Sequence, residues 1–131
     1  QLKQLNSFVL ARRKIASIYL KELKNDERFI LPKEKLNYYH SYHIFPLQVN
    51  FDKIKIDKKE LFKRFKKKGI NLQVHYIPIH LQPFYKKKFG YKVNQFPNAE
   101  KFYRNEISLP IYPELKLSDL YKVINELLSI K

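Results

Sequence analysis

Leu2, Leu5, Val9, Ala16, Tyr19, Leu20 and Leu23 recur at three- and four-residue steps, opposite Lys3, Arg13, Lys14, Lys21 and Lys24. That period predicts a long amphipathic helix over residues 1–24. Its stripe starts at the second residue with no capping side chain before it, so the helix is expected to begin upstream. Residues 25–40 are polar, include Pro32, and read as a connecting loop. Over residues 41–49, His43, Phe45, Leu47 and Val49 fall on one side of an alternating strand, and Pro46 predicts that the strand lies at an edge or is bent.

Asp57-Lys58-Lys59-Glu60 has the spacing of a capping box, with Leu61, Phe62 and Phe65 behind it and Gly69 as the stop, so a helix is expected over 57–68. Next, Ile70, Leu72, Val74 and Tyr76 alternate with Asn71, Gln73 and His75. This predicts a half-buried strand that presents Gln73 and His75 together on its polar face. Pro78 and Pro83 bracket an irregular stretch, a short helix is expected over 82–88 with Gly90 ending it, and Pro97 opens a helix over 97–106. Residues 107–113 form a short strand closed by prolines. Ser118 is the expected cap of a last helix whose apolar face carries Val123, Ile124, Leu127 and Leu128. The order helix, strand, helix, strand, short helices, strand, helix predicts an α/β or α+β sandwich, a small sheet covered by helices.

At 131 residues, 44% of them hydrophobic, the chain is one domain or part of one. Ten Phe and ten Tyr supply a core without staples. Zero Cys excludes a disulfide framework, a thiolate metal site and a cysteine nucleophile. No apolar run approaches the roughly 20 residues of a membrane-spanning helix. The formal net charge of +15 raises a competing reading, a basic module that binds nucleic acid or another acidic surface. Against it, only 5 of the 27 basic residues are Arg, the fork that suits bidentate phosphate recognition. The tightest runs, Lys66-Lys67-Lys68 and Lys86-Lys87-Lys88, stand just before glycines, where helix C-termini favour cations.

Few residues are marked for chemistry. His40, His43, His75 and His80 lack the spacing and the carboxylate or thiolate company of a metal site. His43 shares the apolar parity of its strand and reads as a packed or edge histidine. His75 shares a polar face with Gln73 at the entry to a proline-rich turn, where ligand contacts gather. Gly69 and Gly90 stand alone, without a phosphate-binding loop around them, and the acidic residues, mostly in Lys-rich helical segments, read as solvated pairs.

Several of these segments, in this order, resemble one known family. They are Gln1-Leu2-Lys3-Gln4-Leu5 through Arg12-Arg13, Ile15-Ala16 and Tyr19; Ser41-Tyr42-His43-Ile44-Phe45-Pro46-Leu47; and Gly69-Ile70-Asn71-Leu72-Gln73-Val74-His75-Tyr76-Ile77-Pro78-Ile79-His80-Leu81-Gln82-Pro83-Phe84-Tyr85. Phe96-Pro97-Asn98-Ala99-Glu100 and Ser108-Leu109-Pro110-Ile111-Tyr112-Pro113 complete the set. The chain resembles the pyridoxal-phosphate-dependent sugar-nucleotide aminotransferases of the DegT/StrS type, and within them the enzymes that aminate a UDP-linked 4-keto sugar on the pseudaminic acid pathway.

The resemblance implies the small C-terminal domain of a fold-type I aminotransferase: a small, mainly antiparallel sheet covered by helices over residues 25–131, with helix 1–24 linking to a large domain. It implies a cytoplasmic homodimeric parent that moves an amino group from glutamate to a keto carbon of a nucleotide-linked deoxysugar. The Schiff-base lysine, the pyridine-nitrogen carboxylate and the phosphate contacts belong to the large domain, so no catalytic or cofactor-binding residue is assigned here, and this piece alone is expected to be inactive. His75, Tyr76 and His80 are the substrate-side residues that the resemblance implies, through hydrogen bonds to sugar or diphosphate oxygens.

Overall fold

The computed structural model describes residues 2–131. Leu2–Gln4 make a single 3₁₀ turn that leads into α1, Leu5–Leu23. Of the long apolar stripe, only the C-terminal half is covered: Ile15, Ala16, Tyr19 and Leu23 are buried, whereas Leu2 and Leu5 are exposed. Arg13, expected on the solvent face, reaches across to Glu34 in a two-pronged ion pair at 2.7 and 3.1 Å and donates to the carbonyl of His40, tying the 33–42 loop to α1.

Three antiparallel strands, β1 (Phe29–Ile30), β2 (Phe45–Val49) and β3 (Glu106–Leu109), form a sheet in the order β1-β2-β3. The strand with Pro46 is therefore central, not an edge. The register explains why proline is tolerated. Ser108 lies opposite Pro46 in β3, yet it exchanges both main-chain hydrogen bonds with Gln73 on its other side, at 2.8 and 3.2 Å. Pro46 and Ser108 are thus a non-hydrogen-bonded pair, and the missing N–H of Pro46 points toward β1. There β1 pairs only with Gln48 and Val49, so no ladder bond is lost.

The strand expected over 70–76 is reduced to the single bridge between Gln73 and Ser108. One rung further, His75 should donate to the main-chain carbonyl of Glu106. Its N–H instead meets the Glu106 carboxylate at 3.1 Å, and the segment peels away from the sheet. Ile70 and Leu72 are buried as the alternation predicts, but Tyr76, beyond the bridge, is 73% exposed.

α2 (Lys58–Lys67) begins as its capping signal predicts, with the Asp57 carboxylate accepting from the Glu60 N–H at 2.7 Å, and the left-handed Gly69 follows its last residues. Leu61 and Phe65 bury its apolar face. α3 (Pro83–Phe89) ends on left-handed Gly90, and α4 (Pro97–Asn105) lies against β2. The lysine runs fall in the last turns of α2 and α3, as expected for cations at the negative end of a helix.

α5 (Leu117–Leu128) starts two residues earlier than a cap at Ser118 predicts. Lys116 is its cap residue, extended in backbone, its carbonyl accepting from Asp119 and Leu120, and no side chain caps the helix. Asp119 in the first turn supplies the favourable charge instead. Leu120, Val123, Ile124 and Leu127 bury its inner face, while Leu128 is exposed. α1, α2 and α5 close one core with Phe45, Leu47, Val49, Ile107 and Leu109 of the sheet. Among the described residues no helix is long and apolar enough to cross a membrane.

Candidate functional site

Where residues 70–76 leave the sheet, they open a cleft of about 470 Å³ against the loop after β3 and the first turns of α5. Its polar wall comes from Asn71, Gln73, His75, Tyr112, Asp119 and Lys122, with His43 at the start of β2. Gln73 and His75 thus share one surface, as their alternation predicts. His43 does not pack as its parity predicts: it is exposed and lines the cleft, because β2 begins at Phe45 and Tyr42, with positive φ, takes the buried place before it.

The most ordered polar group in the cleft wall is built on β3. Strand alternation puts Glu106 and Ser108 on one face, and antiparallel pairing sets His75 opposite Glu106 and Gln73 opposite Ser108 on that same face. Ser108 Oγ lies 2.5 Å from Glu106 Oε1 and 2.7 Å from His75 Nδ1. The His75 main-chain N–H donates to the other carboxylate oxygen. Glu106 is fully buried and Ser108 nearly so, whereas His75 is half-buried at the cleft. In this order, carboxylate to hydroxyl to imidazole, one hydroxyl bridges the buried carboxyl group and the ring at the cleft.

The other two histidine-turn candidates go elsewhere. Tyr76 projects into solvent outside the cleft, its ring edge against His75. His80 is buried and bonds Glu100 Oε1 at 2.9 Å, with Phe96 and Tyr91 packed about its ring. The His80 hydrogen bond, aided by the N–H groups of Asn94 and Phe96, holds the Glu100 carboxyl below the usual carboxylate range against the opposing effect of burial. This pair ties the 76–96 excursion to α4. Glu100 and Glu106, read from the sequence as solvated helical charges, are both buried, because the β3 start and the inner side of α4 face the excursion.

Lys58 is the lysine with the clearest perturbation. Burial lowers its pKa, with the nearby Glu106 charge opposing, and its ammonium donates to the Tyr103 carbonyl at 2.7 Å over the Tyr103 ring. It borders an apolar groove floored by Phe62, Ile70, Leu72 and Val74, with no carboxylate or phosphate cradle facing it. Lys122 in the cleft is exposed. Among the described residues no group of three or more His, Cys, Asp or Glu gathers as a metal site.

Glu106 and Ser108 are the residues that the sequence reading passed over. Their signal was the alternation Glu106-Ile107-Ser108-Leu109, two polar groups on one face of a strand ahead of Pro110.

Comparison with known proteins places this fold and its motifs. A protein of Methanocaldococcus jannaschii is 44% identical over 130 residues, covering 99% of this chain and 34% of its own. The UDP-4-amino-4,6-dideoxy-N-acetyl-beta-L-altrosamine transaminase of Campylobacter jejuni is 37% identical over 130 residues, with the same two coverages, 99% and 34%. The solved structure of Helicobacter pylori PseC, an aminotransferase involved in the biosynthesis of pseudaminic acid, superposes with a TM-score of 0.86 at 29% identity, covering 98% of this chain and 34% of that one. The chain spans about a third of the length of the relatives it matches. Residues 1–128 match the model of one family over nearly their whole length, with the long first helix, the antiparallel sheet and the 69–85 segment in place: the chain belongs to the DegT/DnrJ/EryC1/StrS aminotransferase family.

Proposed function

We propose that these residues are the small C-terminal domain of a sugar-nucleotide aminotransferase, and that the cleft beside His75 is its sugar-facing wall. In this reading the parent is a cytoplasmic homodimer that moves an amino group from glutamate to a keto carbon of a UDP-linked deoxysugar. Pyridoxal phosphate supplies the amino-group carrier and is held by the larger part of the polypeptide. α1 joins the two parts.

The observation that carries the reading is His75: a ring held by buried partners at Nδ1, its Nε2 without a protein partner among the described residues, in a cleft that also presents Gln73, Asn71 and Lys122. Amides, an imidazole and an ammonium are the groups that orient sugar hydroxyls beside a diphosphate. Tyr76 flanks the ring from outside the cleft, and His80 anchors the turn that follows both.

The test uses the complete polypeptide that contains this segment. His75→Ala is expected to raise KM for UDP-linked keto sugar about tenfold or more, a loss of roughly 1.4 kcal/mol. The glutamate half-reaction, followed by the cofactor absorbance, should stay within about twofold. An unchanged KM for the sugar refutes the assignment of His75. For the 131-residue chain, borohydride trapping with pyridoxal phosphate should label surface lysines non-selectively. Stoichiometric labelling of a single lysine refutes the division of labour between the two parts.

A further inference from the structure

The hydrogen count around Ser108 settles which nitrogen of His75 carries a proton. Ser108 Oγ has one hydrogen and two polar neighbours, Glu106 Oε1 at 2.5 Å and His75 Nδ1 at 2.7 Å. Glu106 Oε2 already accepts the His75 main-chain N–H at 3.1 Å. In this geometry Ser108 Oγ donates to Glu106 Oε1, and the carboxyl group accepts on both of its oxygens. It therefore takes the serine hydrogen. Ser108 is left with lone pairs toward His75, so Nδ1 must donate.

We propose that Glu106, acting through Ser108, is a positioning residue that holds His75 in the Nδ1–H form, so that Nε2 meets the ligand as a hydrogen-bond acceptor. The consequence is a specificity. An acceptor nitrogen pairs with a hydroxyl or ammonium hydrogen and is repelled by phosphate oxygens, so His75 takes the sugar end of a nucleotide sugar and not its diphosphate. The ligand part of this inference rests on the reading of the cleft given above, whereas the tautomer does not. No buried polar side-chain atom is without a partner among the described residues, so the unpartnered Nε2 is open to the cleft.

The isosteric variant Glu106→Gln reverses the relay. The His75 main-chain N–H still needs the carbonyl oxygen of the new amide, which turns the amide NH₂ toward Ser108. Ser108 must then give its hydrogen to His75 Nδ1, and the ring moves to the Nε2–H form. The measurement is long-range proton–nitrogen correlation of the imidazole rings in the nitrogen-15-labelled chain at about pH 8, above the ordinary histidine range. His75→Ala assigns the signals.

The expected result is a protonated Nδ1 and an unprotonated Nε2 in the native chain, exchanged in Glu106→Gln. A native ring in the Nε2–H form, or no exchange in the folded variant, overturns the proposal. Should Glu106→Gln fail to fold, Ser108→Ala serves: loss of the acceptor is expected to release the ring to the Nε2–H form that free imidazole favours, and retention of Nδ1–H there overturns the relay. Adding UDP-N-acetylglucosamine to the complete polypeptide that contains this segment separates the two readings. Ring signals that stay still while the tautomer is as expected leave the relay standing and count against the sugar-facing cleft.

Discussion

Replacing Ser108 by alanine tests how much of the site's order is held by one hydroxyl. Glu106 is 0% exposed, and without that hydroxyl its carboxylate keeps only the main-chain N–H of His75 as a direct hydrogen-bond donor. A hydrogen bond to a charged group contributes about 1.5–3 kcal/mol, and a buried acceptor left open costs at the upper part of that range. The other lost bond, from His75 Nδ1, lies at the cleft, where water substitutes at little cost. The expected net loss is about 2 kcal/mol. In a domain of this size each kcal/mol moves Tm by roughly 3 °C, so a fall of roughly 6 °C is expected. Glu106→Gln is the control: its amide keeps a partner for both Ser108 and the His75 N–H, so its cost should stay under about 1 kcal/mol. Urea unfolding followed by circular dichroism, with an unchanged slope, measures both. A Ser108→Ala variant within about 0.5 kcal/mol of the native chain, or one more stable than Glu106→Gln, would refute the network as described.

Two further outcomes are expected. Tyr19 is fully buried, burial pushes its phenol well above the usual range, and it donates to the Pro110 carbonyl at 3.0 Å; Tyr19→Phe should lower the unfolding free energy by about 1 kcal/mol, read from the urea midpoint, and no loss would show that bond to be empty. For Glu100, a carboxyl whose folded pKa is lowered contributes stability above its ordinary unfolded value of about 4.3, and that contribution is lost as pH falls from there through the lower folded value. Glu100→Gln should therefore flatten the acid limb of urea midpoint against pH below about pH 5. Asp26, Glu27 and Glu34, also lowered by their ion pairs, keep the limb from vanishing, and an unchanged limb would count against the His80–Glu100 pair.

Much of the architecture was legible because local physics carried it. The Asp57 cap, the left-handed glycines at 69 and 90, and prolines at the starts of α3 and α4 act over one turn of chain, and each element they bound was readable from a few residues. The ordered motifs over 69–85 likewise pointed to the aminotransferase family. Prediction from periodicity failed where a distant partner decided the outcome. The α1 stripe runs over the whole helix, but which part is covered depends on where α5 and the sheet lie. Pro46 argued for an edge, and only the register, with Ser108 turned toward Gln73, shows how a proline fits a central strand. Ser118 looked like a cap, yet the extended Lys116 opened the helix before it.

The candidate site divides in the same way. Alternation alone put Gln73 and His75 on one face, and that face lines the cleft. Alternation also put Glu106 beside Ser108, although nothing local distinguishes a buried carboxylate from a solvated one at the end of a polar helix. What determines burial is the chain that covers a residue, and for Glu106 that chain lies 31 residues away in sequence. The same pairing takes the N–H of His75 from the sheet ladder and gives it to a side chain. Sequence by itself therefore determined the long helices, the glycine and proline ends of several elements and the family, which rest on short-range backbone preference and on motif order. Tertiary structure alone decided which polar groups lose water, and with it the proton position on His75, because desolvation and hydrogen-bond partnership arise only when segments far apart in the chain meet.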